Sequence, residues 1–207
     1  ISWTLPTNAG EAGTIVAALL LGLALPVSPV QILWINLITA VTLGLALAFE
    51  PTEPGTMERK PRMRSAPLLT GGLVWHVVLV GTLFVVAVFG LYAYAIDRVY
   101  AQELAQTLSM NMLVILEIFH LFFIRNIYGT SLTLAAVRGT RAVWFCLAVI
   151  VPAQFIVTYV PVVQKAMGTR AVPLADGVLM VAIGAVFFAI IEVEKQLRLT
   201  LRRRTDE

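Results

Sequence analysis

Asn8 and Glu11 stand three residues apart, and Asn36 and Thr39 repeat that spacing further along the chain. On a helix, residues three apart project from one face. Amide, hydroxyl and carboxylate oxygens are the ligands that hard cations take. Both pairs lie inside long apolar runs, as does Glu117, with His120 one helical turn beyond it. Of the twelve acidic residues, only Glu11 and Glu117 fall deep within such runs. An ionisable group at membrane depth costs several kcal/mol unless paired, hydrated or protonated, and by default marks a pathway or a ligand site. The same residues would equally serve as hydrogen-bond glue between helices. Glu117 and His120 are spaced to share a proton, and His120 would equally make a plain interhelical hydrogen bond.

The composition says which elements must carry these residues. Of 207 residues, 59% are hydrophobic and 13% charged, with a mean hydropathy of +0.87. Soluble domains carry about 25% charge and about 45–50% apolar residues, so a soluble fold is excluded, and so is a disordered chain. The sequence predicts an all-α polytopic membrane protein, because a bilayer core of about 30 Å takes roughly 20 apolar residues as helix. Six spans are expected, at about 1–25, 30–49, 73–96, 107–124, 142–163 and 174–192, followed by a basic tail at 193–207. The first two are separated by a short turn, which predicts that they pack side by side and bring Asn8, Glu11, Asn36 and Thr39 to one depth.

The positive charges set an orientation. Arg59, Lys60, Arg62, Arg64, Arg125, Arg138, Arg141, Lys195, Arg198 and Arg202, Arg203 and Arg204 fall on one side, and only Arg98, Lys165 and Arg170 on the other. The positive-inside rule then predicts a six-helix bundle with both termini cytoplasmic. The run 202–204 would also touch anionic lipid. A pI of about 9.3 does not point to nucleic acid, because the basic residues sit between apolar runs instead of on one soluble face. Cys146 is alone and has no metal-ligand spacing. Trp3, Trp34, Trp75 and Trp144 read as interfacial anchors, and His76 as an interfacial residue. Gly10, Gly13, Gly44, Gly81, Gly90 and Gly184 would let helices approach closely without forming a GxxxG pair. The start, Ile1-Ser2-Trp3, has neither an initiator Met nor a basic n-region and reads as a chain entered in its middle.

Several strings resemble one family. They are Thr-Asn-Ala-Gly-Glu at 7–11, Pro-Val-Gln-Ile-Leu-Trp-Ile-Asn-Leu-Ile-Thr at 29–39, the acidic-proline and Met-Glu-Arg-Lys-Pro-Arg loop beginning at Glu50-Pro51, and Glu-Ile-Phe-His at 117–120. Together they resemble the C-terminal transmembrane region, helices five to ten, of P-type cation-transporting ATPases of the calcium and sodium/potassium pump type. The resemblance covers essentially the whole chain. It implies the ion-binding transport portion of an ATP-driven pump, with Asn8, Glu11, Asn36, Thr39 and Glu117 as cation ligands. ATP and magnesium would belong to the missing phosphorylation, nucleotide-binding and actuator domains, since nothing here resembles Asp-Lys-Thr-Gly-Thr. The loop at 50–64 would dock on the phosphorylation domain, or serve only as a solvated loop. Family members carry an Asp after the Thr, usually followed by Gly and a nearby Pro; here Thr39 is followed by Ala40-Val41-Thr42-Leu43. Losing a carboxylate should weaken divalent binding, which puts calcium in doubt. His120 would then be a candidate for a proton-coupled step. A multi-pass protein of a bacterial plasma membrane is expected. The alternatives are a stand-alone, non-enzymatic membrane protein and a gradient-driven cation transporter.

Overall fold

A computed structural model describes residues 1–49, 69–125 and 140–205, with side chains to residue 201. The described residues form seven helices and no strand: α1 (Thr4–Leu20), α2 (Pro29–Ala48), α3 (Gly71–Asp97), α4 (Gln102–Ile124), α5 (Arg141–Tyr159), α6 (Pro161–Met167) and α7 (Leu174–Thr205). Five of them, α2, α3, α4, α5 and α7, are long and apolar enough to cross a membrane. The chain is an all-α, multi-pass integral membrane protein. The first expected span corresponds to α1, which has 17 residues and so extends about 25 Å. The loop at 50–64 and Arg138 lie outside the described residues, as do the side chains of Arg202, Arg203 and Arg204.

Local chemistry sets the helix ends. Ser28 caps α2 in a reciprocal box with Gln31, and Pro29 fills the first helical position, where its missing N–H costs nothing. α1 closes at Gly22, whose φ of 62° lets Leu23 donate to the Ala18 carbonyl and Gly22 to Leu19, the Schellman pattern. The fifth expected span is divided: α5 stops at Tyr159, because Pro161 forces Val160 into extended backbone (φ −82°, ψ 117°) and starts the short α6. The expected end at 192 is also overrun, since α7 continues as helix through the basic segment to Thr205. α2 runs unbroken past 39–43, where no Pro or Gly interrupts it.

α4 is the centre of the bundle. Of its apolar window 72% is buried, against 28–39% for the other four candidate spans. It packs on α3, α7 and α2. Contrary to the side-by-side expectation, α1 lies chiefly on α3, while α2 lies on α5 and α4. Small residues decide these pairings. A Cβ on Gly10 would come within 2.6 Å of Phe84 on α3, and one on Gly184 within 2.6 Å of Phe119 on α4. The interhelical approach at both places is therefore possible only without a side chain.

One backbone position is strained. Val99 follows α3 with φ 59°, and its N–H and that of Tyr100 close a second Schellman pattern on Ile96 and Ala95. A β-branched residue rarely adopts this left-handed region. Val99 is 89% exposed, so its side chain recovers little by packing. Val99→Gly in the full-length protein should therefore raise the thermal-inactivation midpoint, by relieving about 1 kcal/mol of strain. A fall in that midpoint would contradict the strain assignment.

Candidate cation site

The apolar helices bring four of the predicted oxygen-bearing residues together from three different elements. Asn36 on α2 donates from Nδ2 to Glu11 Oε2 on α1 at 2.7 Å and to the Ile32 carbonyl of its own helix at 3.1 Å. The Glu117 carboxyl, on α4, lies against the Glu11 carboxyl and the Thr39 hydroxyl. Glu117 Oε2 nevertheless makes no well-formed hydrogen bond. Thr39 donates its hydroxyl to the Ile35 carbonyl at 2.9 Å. Glu11 is 7% exposed, Thr39 3% and Glu117 1%. Two carboxyl groups facing each other away from water require a positive charge, either a proton or a metal cation, since two anions cannot share such a space.

Asn8 stands one turn before Glu11 on α1 but is exposed and makes no hydrogen bond to this group. Ala40, which follows Thr39, is exposed too. Because α2 is continuous, the group offers side-chain oxygens alone, without freed backbone carbonyls. Among the described residues no cluster of three or more His, Cys, Asp or Glu side chains is arranged to hold a metal. The four residues thus present two carboxyls, a hydroxyl and an amide from three helices.

His120 does not pair with Glu117. Its Nε2 lies 3.0 Å from Nε2 of His76 on α3, and its Nδ1 is buried without a partner. His76 is buried, and it stacks on Phe123 with ring centroids 5.2 Å apart. Trp3 is likewise buried at 5% exposure, with its indole N–H directed at the Glu117 carbonyl at 3.4 Å. Trp34 turns inward to Gln154. Trp75 and Trp144 remain about half exposed, as membrane anchors are.

The fold and sequence define a class before any closer relationship. This is a multi-pass helical membrane domain, and the family model described as cation transporting ATPase, C-terminus, matches residues 24–197. The chain belongs to that family. It is 39% identical over 199 residues to the "Probable cation-transporting ATPase F" of Mycobacterium tuberculosis, covering 95% of this chain and 22% of that protein. It is 30% identical over 199 residues to the "Calcium-transporting ATPase" of Bacillus subtilis, covering 90% and 21%, and 25% identical to "Calcium-transporting ATPase 1" of Yarrowia lipolytica, covering 94% and 21%. The chain thus spans about a fifth of the length of these relatives.

Sequence reasoning missed three buried charges. Glu192 and Lys195 on α7 form an ion pair of 2.7 Å with side chains 1% and 3% exposed, and the Lys195 ammonium lies 4.6 Å from the Phe123 ring centroid. Asp176 is 2% exposed and accepts from the Tyr94 hydroxyl at 2.9 Å. Hydropathy places Asp176 and Glu192 at span ends and Lys195 in the basic tail, where charges look harmless; only the packing of α7 on α3 and α4 encloses them. Breaking a buried pair costs about 3–5 kcal/mol, because one charge stays behind uncompensated. Lys195→Met should therefore sharply lower the amount of full-length protein accumulating in membranes, and adding Glu192→Gln should restore much of it. If the single variant accumulates normally, the pair is not buried as described.

Proposed function

We propose that this chain is the ion-binding end of an ATP-driven cation pump, in which Glu11 and Glu117 hold the transported cation. Asn36 and Thr39 add neutral oxygens, and Asn8, one turn before Glu11 on α1, is the further candidate ligand. The observation that carries this reading is the meeting of two buried carboxyls from α1 and α4 beside the Thr39 hydroxyl. No structural need of a helix bundle accounts for that meeting, since apolar residues would pack there at lower cost. Membership in the cation transporting ATPase family supplies the context. ATP and magnesium act in parts of the pump that lie outside this chain, in a bacterial plasma membrane.

The donor set narrows the cargo. Calcium takes six to eight oxygens, and this group supplies two carboxyls, a hydroxyl and one or two amides. Ala40 contributes no carboxylate. The reading favours one small cation per cycle, either monovalent or a magnesium-like ion that keeps some of its water. Glu11 is the central ligand, touching Asn36 on α2 and Glu117 on α4. The loop at 50–64 transmits motion from the phosphorylation domain, and His120 is kept for a proton-coupled step.

In the full-length pump, Glu11→Gln should abolish cation-stimulated phosphorylation and ATP hydrolysis, and Glu117→Gln should raise the half-saturating cation concentration by roughly ten-fold or more, the loss expected when one charged ligand is neutralised. A titration across calcium, magnesium, manganese, sodium and potassium would identify the cation. Unchanged cation stimulation in Glu11→Gln would sink the assignment.

A further inference from the structure

α2 carries two residues of the candidate site, yet its grip on α1 is slight and runs through the Asn36–Glu11 hydrogen bond. Its hold on the rest of the bundle comes from another direction. Trp34 on α2 donates its indole N–H to Gln154 Oε1 on α5 at 3.0 Å. Gln154 donates from Nε2 to Asn111 Oδ1 on α4, also at 3.0 Å. Asn111 and Thr158 face each other at 3.2 Å, and Asn111 Nδ2 also donates to the Thr107 carbonyl at 2.9 Å. Every polar atom of the two amide side chains is thereby engaged, and Gln154 and Asn111 are each 8% exposed. One turn before Trp34, Gln31 donates to the Gly168 carbonyl at 3.2 Å, which fixes the start of α2 to the end of α6.

The surroundings leave these groups no substitute partners. Asn111, Gln154 and Thr158 line a cleft of about 670 Å³ between α4, α5 and α7, and its remaining walls are chiefly apolar. A donor released there would stay unsatisfied, so the network holds one geometry or collapses. α5 itself contributes no residue to the candidate site. Its amide nonetheless adds a hydrogen-bonded link between the helix bearing Asn36 and Thr39 and the helix bearing Glu117, beside their direct packing.

We infer that Gln154, bonded to Trp34 and Asn111, is a positioning residue. It sets the depth and rotation of α2 against α4, and through them the separation of the Asn36 and Thr39 oxygens from the Glu117 carboxyl. This rests on the reading of Glu11 and Glu117 as cation ligands. A bridge that only held the bundle together would change how much pump folds. A bridge that positions ligands changes how tightly the folded pump takes its cation.

The test uses the full-length pump, with cation-stimulated ATP hydrolysis measured against cation concentration and the folded fraction counted by phosphorylation at saturating cation. Gln154→Met keeps the side chain's length without its hydrogen bonds, and Trp34→Phe removes the indole donor alone. Each should raise the half-saturating concentration by about 3- to 15-fold, the range expected for one interhelical hydrogen bond in a membrane. The maximal rate per phosphorylated pump should stay within about two-fold of the parent. The double variant should be no worse than the worse single one, because both remove the same link. Unchanged half-saturation in both single variants, or fully additive losses in the double, would overturn the proposal. Glu11→Gln separates the two layers. If it leaves cation stimulation intact, the ligand reading fails, whereas if it abolishes stimulation while Gln154→Met leaves affinity unchanged, only the positioning bridge fails.

Discussion

In hydrocarbon a carboxyl group has no water to turn to, and the placing of Glu11 and Glu117 against each other is the contact on which the rest of this domain depends. A charge-compensating proton or cation is demanded wherever two such groups meet at low dielectric. The bundle places that demand on its most buried helix. α4 carries Glu117, its N-terminal half is buried almost all round, and α2, α3 and α7 pack directly on it. The helix that holds the costliest group is the one most completely removed from lipid.

The same rule orders the polar residues outside the candidate site. Several deeply placed polar groups are matched across a helix boundary, His76 to His120, Tyr94 to Asp176, and Gln154 to Asn111 and Trp34, while Glu192 and Lys195 pair within α7. Lipid tails are as apolar as leucine, so apolar burial alone gives little specificity between helices. Close steric fit and these polar pairs supply it. Where the backbones approach most closely, glycine makes the approach possible, at Gly10 against Phe84 and Gly184 against Phe119. The outcome is a bundle in which α1 rides on α3, while α2 is held by α5, α6 and α4.

Much of the candidate site was legible before any coordinates. A carboxylate in an apolar run is conspicuous, and Glu11 and Glu117 stand out on cost alone. Asn36 and Thr39 were legible by their spacing and by the string around them. The amides and histidines were harder. Gln154, Asn111 and His76 sit in spans without a charge to flag them, and an uncharged polar residue on an apolar helix reads alike whether it faces lipid, a neighbour or an interface. Trp3 and Trp34 were misread as anchors for a related reason: proximity to a span end says nothing about which way the ring points. The buried Glu192–Lys195 pair was hidden because hydropathy ends the sixth span at 192, whereas the helix continues to Thr205.

The sequence by itself determined the solvent, the helical class, the family, and the residues too costly to bury idly. Those are properties of composition and of short, local strings. Tertiary structure decided who meets whom. Adjacent segments joined by a short turn did not become packed neighbours, because the Gly10–Phe84 fit draws α1 onto α3 while Gln31 and Trp34 tie α2 to α5 and α6. Pairing between helices depends on the rotation of each about its own axis and on its depth in the bundle. Both are set by side chains distant in sequence, and no spacing rule within a single helix contains them.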